Sequence, residues 1–527
     1  MLATLVTAVV NGLRGELVRV EVDVAPGLPV CHIVGLPDAA LSEARERVRG
    51  ALRNSGFEYP LSRITVNLAP ADLRKRGAAY DVAIAIGILV ASGQIRASGG
   101  PWAVLGELSL GGQVLPVPGM LPMVSTLAAE GHRRVAVPAG NAPEAHMVAG
   151  VEVVGVEGLD DVARLVAGPR GRTAEAARRR PAHQVSGGAM DAVDASRGRA
   201  SGTLSGPGLA AADMTDVRGQ PMARWALEVA LAGGHDLLLV GSPGAGKTLL
   251  ARTVPSLLPP LDDDEAQEVA VIRSVAGLRS DPTERRVRPF RAPHHTTSYA
   301  AMVGGGPLLQ PGLVTLDHRG VLFLDELAEF DRNVLDALRQ PLEDGSVEIA
   351  RAHGHVRYPA RLQLIAAMNP CRCGWYGEQG VRCRCRLDEA ARYQLRVSGP
   401  LLDRIDLRVV MARVPAEVLI EGPVGESSSI VAERIARARA VAVARSGTPN
   451  ARLTAGGVIS ACQLDGAGGR LLVDLAASTA MTARGIHRTL RVARTIADLT
   501  GAERVGADAV SAAMALRNDG MERLAAA

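Results

Sequence analysis

The chain has 527 residues, 47% hydrophobic and 22% charged. That composition suits a soluble protein of two to four domains and excludes a disordered or collagen-like chain. The net charge of +4 carries no argument for nucleic acid, because seven arginines against three acids between 168 and 206 supply the whole excess. The apolar N-terminal run lacks a basic leader and a cleavage site. The longest apolar stretch elsewhere, around Val82–Ala91, is too short for a bilayer. A cytoplasmic protein without membrane contact is expected, and its six cysteines point to metal or redox chemistry rather than disulfides.

Residues 1–167 alternate strand-like runs (Leu17–Val24, Ile64–Leu68, Ala103–Leu105, Arg134–Val137, Val151–Val156) with helical patterns such as Leu41–Ser55, which predicts an α+β domain. From 168 to 206, Gly, Ala, Arg and Ser dominate without periodicity and read as a flexible linker. An α/β module follows over 207–413. Residues 414–527 then read as almost purely helical, with helices predicted at Ile430–Arg445, Gly469–Ala480, Gly485–Thr500 and Ala507–Asn518.

The run Gly241-Ser242-Pro243-Gly244-Ala245-Gly246-Lys247-Thr248 matches G-x-x-x-x-G-K-[ST], a loop whose backbone N–H groups cradle phosphate before a helix. Lys occurs only at 75 and 247 among 59 basic residues, so a chain that writes Arg elsewhere keeps a compact ammonium at this position. Asp236–Val240 reads as the strand before the loop and Leu249–Thr253 as the helix after it. Val321–Leu324 is an apolar strand that delivers Asp325 and Glu326 to its end. Asp325 can hold Mg²⁺ together with the Thr248 hydroxyl, and Glu326 can polarise a water. Ala366–Met368 delivers Asn369 in the same way, placed to orient that water. ATP and Mg²⁺ are the expected cofactors.

Cys371, Cys373, Cys383 and Cys385 form C-x-C-x₉-C-x-C, four thiols able to close a shell around Zn²⁺ in a loop with little core. Cys31 and Cys462 read as core thiols. His294 and His295, adjacent in a segment read as extended, would face opposite sides, which makes joint chelation awkward. They are expected to play an ordered or nucleotide-coupled part. Val347–Ala360 reads as a β-hairpin.

These motifs resemble those of the AAA+ ATPases. The longer pattern Arg291–Ser298, Gly304–Gly306, Pro311-Gly312, Gly320–Leu327 and Leu338–Glu343 is similar to the magnesium-chelatase-like group and, within it, to the ComM/YifB family. The resemblance covers nearly all of the chain outside the linker. It implies an AAA+ P-loop core with an α-helical lid, preceded by a Lon-protease-like domain. It also implies a trans-acting Arg404 in Ser398–Asp406, and therefore a homo-oligomeric ring, commonly a hexamer in this family; a structural ion pair with the flanking Asp403 or Asp406 is the competing reading. Arg484, Arg488, Arg491 and Arg494 share one helix face. A solvated basic face is the plain reading of that stripe, and the AAA+ likeness assigns ATP sensing to Arg484, with Arg488 as runner-up. In this group the hairpin points into the ring pore, where Arg351, His353, His355 and Arg357 would meet a phosphate backbone; a plain surface hairpin is the alternative.

Gly77–Asp81 matches the nucleophile turn of Lon but contains no Ser, Thr or Cys, so proteolysis is not expected. Arg74, Lys75 and Arg76 beside it are candidate DNA contacts. The function implied is an ATP-driven ring motor on single-stranded or branched DNA, a branch-migration helicase that promotes integration of DNA during natural transformation. The alternatives are a magnesium-chelatase motor subunit and a protein-remodelling ATPase. Only 3 Trp, 6 Tyr and 4 Phe are present, and none makes a convincing aromatic pore loop of the unfoldase type.

Overall fold

The computed structural model describes residues 1–35, 39–70, 77–168, 212–278, 282–306, 309–351, 354–378 and 383–518. Arg74, Lys75, Arg76, His353 and nearly all of the linker lie outside them. Two compact units are present: residues 1–201 with 267–285 and 307–310, and residues 202–266, 286–306 and 311–527.

The first unit is built on a mixed seven-stranded sheet in the order Val30–Val34, Arg63–Ala69, Arg14–Ala25, Leu2–Asn11, Ala103–Val104, Arg134–Pro138, Glu152–Val156. Its central strand is the N-terminal run, which pairs antiparallel with Arg14–Ala25 through a tight turn and parallel with Ala103–Val104. Leu5, Ala8 and Val9 are buried there. From Thr7 to Val9 the strand is buried on both faces, so the run as a whole shows no clean alternation and carried no strand signal in the sequence. The apolar stretch at Val82–Ala91 is a helix, Asp81–Ala91, with Ile84, Ile86, Ile88 and Leu89 all buried. Each such side chain contributes about 1.5–3 kcal/mol. Gly87 lets this helix approach the sheet, since a Cβ there would lie 2.5 Å from Val22 Cγ2.

The second unit carries a five-stranded parallel sheet in the order Phe290–Arg291, Val321–Leu324, Gln363–Met368, Leu237–Gly241, Leu407–Met411. Leu237–Leu239 and Val321–Leu324 are buried throughout, the signature of strands covered on both faces. Parallel pairing places the carboxyl ends of Leu237–Gly241, Val321–Leu324 and Gln363–Met368 along one edge, where P-loop, Asp325 and Asn369 follow. The C-terminal helices Ser428–Ser446, Ala455–Cys462, Gly466–Ser478, Ala483–Thr500 and Ala507–Asn518 share one core with the sheet, through Ile435, Val458, Leu472, Val492 and Leu516.

Candidate nucleotide site and cysteine cluster

The P-loop leaves its strand at Gly241, where a Cβ would lie 2.4 Å from Met411 O, so only glycine fits beside the neighbouring strand. Gly244 and Gly246 take φ +80 and +92, and a Cβ at Gly244 would meet nothing within 4 Å. Lys247 opens the following helix, Lys247–Arg252. Its ammonium donates to Gly241 O (2.6 Å), Ser242 O (3.0 Å) and Asn369 Oδ1 (3.1 Å), using all three of its protons. Burial pushes Lys247 below the usual lysine value, against the pull of Asp325 and Glu326. Ser242 Oγ is buried without a hydrogen-bond partner. Gln220, in the left-handed region just before helix Pro221–Gly233, donates to Ala245 O (3.0 Å) and Ala412 O (2.5 Å) and so braces the loop from outside. Nothing in its immediate sequence marks that role.

Thr248 Oγ1 donates to Asp325 Oδ2 at 2.6 Å, and the Glu326 N–H donates to Asp325 Oδ1 at 2.9 Å. Glu326 sits at φ 52, ψ 46, a left-handed backbone that costs about 1–3 kcal/mol in a non-glycine residue. Its carboxylate meets His295 Nδ1 at 3.2 Å. The two histidines do not face opposite sides. Their rings lie 4.1 Å apart because the chain turns at His295 instead of staying extended, and His294 Nδ1 pairs with Thr296 Oγ1 at 2.9 Å. The contact between His295 and Glu326 was missed in the sequence. It forms because Phe290–Arg291 and Val321–Leu324 are paired strands, so the segments following them run side by side.

Arg404 and Arg484 come together on one carboxylate, Glu343. Arg404 Nη2 pairs with Glu343 Oε2, and Arg484 Nη2 meets Glu343 Oε1 at 2.8 Å. The two guanidiniums, Arg404 foremost, hold Glu343 below the usual carboxylate value. Arg404 is thus ion-paired to neither flanking acid; Asp406 is occupied by His235 Nδ1 at 3.2 Å and Arg488 Nε at 3.7 Å. The plain reading of the arginine stripe is corrected here. Only Arg484 is exposed. Arg488 is buried against Asp406, and Arg491 donates to Leu453 O. Arg494, 1% exposed, binds Asp498, Ala502 O and Glu503 O. Arg488, Arg491 and Arg494 lie on the helix face that packs inward, where each finds an acceptor.

The four clustered cysteines place their Sγ atoms within 4.8 Å of one another. Separations of 3.4, 3.7 and 3.4 Å link Cys371, Cys373 and Cys383. Tetrahedral thiolates about 2.3 Å from zinc would stand about 3.8 Å apart, so the set fits that ion. Cys371 is buried and the other three are half-buried. Burial acts to raise Cys373, but hydrogen bonds from the Trp375 and Arg384 amides outweigh it and bring the thiol down to about 6. Cys462 is buried, and Cys31, half-buried on the sheet's edge strand, packs against the core of the first unit.

Profiles described as "Magnesium chelatase, subunit ChlI", "Subunit ChlI of Mg-chelatase" and "Magnesium chelatase, subunit ChlI C-terminal" match residues 213–419, 20–141 and 425–517. "Competence protein ComM" of Haemophilus influenzae is 40% identical over 496 residues, 94% of this chain and 93% of that protein. "Uncharacterized protein YifB" of Escherichia coli is 40% identical over 490 residues, covering 93% and 91%. The chain belongs to the ComM/YifB family of magnesium-chelatase-like AAA+ proteins. An uncharacterized protein of Mycobacterium tuberculosis is 43% identical over 526 residues, 98% of each chain.

The ComM/YifB likeness therefore extends through the first unit. There the Gly77–Asp81 loop ends in a carboxylate already committed within the fold. Asp81 is fully buried and accepts from Arg47 Nε at 2.7 Å, Arg47 Nη2 at 3.2 Å and the Leu108 N–H at 3.3 Å. Burial raises its carboxyl to about 6 despite the Arg47 guanidinium. No helix among the described residues is long and apolar enough to cross a membrane.

Proposed function

We propose that this ComM/YifB-family protein is an ATP-hydrolysing ring motor that acts on single-stranded or branched DNA, driving branch migration while incoming DNA is integrated. The observation that carries the reading is the convergence of Lys247, Thr248, Asp325, Glu326 and Asn369 on one sheet edge, in a chain matching a named competence protein over nearly its whole length.

In this reading Gly241–Thr248 receives the phosphates of ATP. Lys247 exchanges a carbonyl or Asn369 partner for a phosphate oxygen, a swap that keeps its ammonium satisfied. Thr248 and Asp325, already 2.6 Å apart, would hold Mg²⁺, which supplies charge neutralisation at the phosphates. Glu326 takes the proton of the attacking water once it leaves His295, and Asn369 orients that water. Arg404 serves the nucleotide of a neighbouring subunit, in a ring of six by family likeness, and Arg484 senses ATP. Both must first release Glu343.

The four cysteines hold Zn²⁺. The hairpin Ser346–Arg351/Gly354–Pro359 buries Val347, Ile349 and Tyr358 and leaves His355 and Arg357 exposed, as a DNA-facing surface requires. The test is ATP-dependent displacement of a labelled strand from a three-strand junction. Wild type is expected to displace it and Glu326→Gln to bind the junction without displacement; equal displacement by both would refute the reading.

A further inference from the structure

The cysteine cluster is wired to the P-loop at two points. Asn369, whose Oδ1 holds the Lys247 ammonium, is followed by Pro370 and then Cys371. Gln394 Nε2 fixes that link from the other side by donating to Pro370 O at 2.8 Å. The second point is Gly374, which closes the Cys371–Cys373 turn by donating its N–H to Cys371 O at 3.0 Å. Gly374 lies against the ring of Pro243 in the P-loop. A Cβ at Gly374 would stand 2.5 Å from Pro243 Cδ, 2.6 Å from Cγ and 3.9 Å from Asn369 Cγ. At φ +86 and with so close an approach, the position admits only glycine.

We propose that metal occupancy of the four-cysteine site sets the nucleotide affinity of the P-loop, so that a zinc-class cation and ATP bind cooperatively. The inference rests on reading Gly241–Thr248 as the ATP loop and the cysteines as a metal site. The four sulfurs lie within 4.8 Å of one another although three of these cysteines are only half-buried, so apolar burial alone does not gather them. A cation fixes their separation and with it the Cys371–Gly374 turn. The turn then presents Gly374 to Pro243 and Asn369 to Lys247 in one geometry. Without the cation the loop must order itself when the nucleotide arrives, which weakens binding. Linkage makes the effect reciprocal: nucleotide must retain the metal by the same factor.

The experiment uses the full chain, loaded with Zn²⁺ or stripped by chelator, with zinc content measured by elemental analysis and secondary structure by circular dichroism. The affinity of a fluorescent ATP analogue is expected to be about tenfold higher in the loaded protein. Zinc transfer to a chelating dye is expected to slow by the same factor when the analogue is bound. Gly374→Ala keeps all four thiols but forces a methyl against Pro243. It is expected to bind one zinc per chain, lose affinity for the analogue and lose nucleotide-dependent zinc retention. Stoichiometric zinc with equal analogue affinity in both forms and an unchanged transfer rate would overturn the coupling alone. A folded chain that takes up no zinc would overturn the metal site and the coupling with it. Loaded protein that binds no analogue would overturn the reading of the P-loop and the coupling built on it.

Discussion

Asp81 in the first unit and Asp325 in the second each follow or open a regular element at a loop where family likeness places chemistry. Asp81 is fully buried, and both its oxygens are consumed by Arg47 and the Leu108 amide of its own unit. Asp325 is half-exposed and holds the Thr248 hydroxyl and the Glu326 amide. The hydroxyl can be re-aimed when a cation arrives, whereas breaking the bidentate guanidinium pair leaves a buried carboxylate uncompensated. A carboxylate with exchangeable partners serves a site. One with fixed internal partners serves the fold.

The comparison breaks most directly at Lys247. Lys247→Ala removes the only ammonium in the loop and is expected to lower ATP affinity by about 10²-fold or more, read by calorimetry. Asp81→Ala is expected to cost about 1–3 kcal/mol in the first unit, because the half-buried Arg47 loses its nearest carboxylate and the Leu108 N–H its acceptor. That loss should appear in thermal melts while the ATP dissociation constant moves by less than about twofold; a large loss of ATP binding would mean that Asp81 is not merely structural. Within the lid, Arg494→Ala should cost about 3–5 kcal/mol and the exposed Arg484→Ala about 0–1 kcal/mol. Equal losses would refute the contrast between buried and exposed arginines.

The smallest effect is one of pH. Asp81 is raised from 3.8 to about 6 in the fold, so the folded chain keeps a proton that the unfolded chain has released across that window. Its contribution to stability is full below pH 3.8 and is lost as pH rises through about 6, opposite in sign to an ordinary paired carboxylate. The difference between wild-type and Asp81→Asn melting curves across this range should show that decline; a difference that grows with pH would contradict it.

The nucleotide loop and the Asp325–Glu326 strand were legible in the sequence because each is a contiguous run whose strand, turn and helix signals agree. The helices Ser428–Ser446 and Ala483–Thr500 were also legible, to within about two residues. What escaped was non-local. The Leu2–Asn11 strand is buried on both faces from Thr7 to Val9 and so shows no clean period. His295 reaches Glu326 only through the pairing of two strands. The Arg488–Arg494 stripe reveals a shared helix face but not that the face packs inward onto acids and carbonyls. Glu343 closes the Leu338–Glu343 stretch of the family pattern, but nothing in that stretch shows that it gathers Arg404 and Arg484, which lie 61 and 141 residues further on.

The proposed motor requires that ATP turnover in the second unit be coupled to DNA. The most direct measurement is the ATPase rate of the full chain with no DNA and with single-stranded, duplex or branched DNA, using Glu326→Gln as the blank. Strong stimulation by single-stranded or branched DNA that disappears in Glu326→Gln is expected. Good basal hydrolysis with no stimulation by any DNA would contradict it.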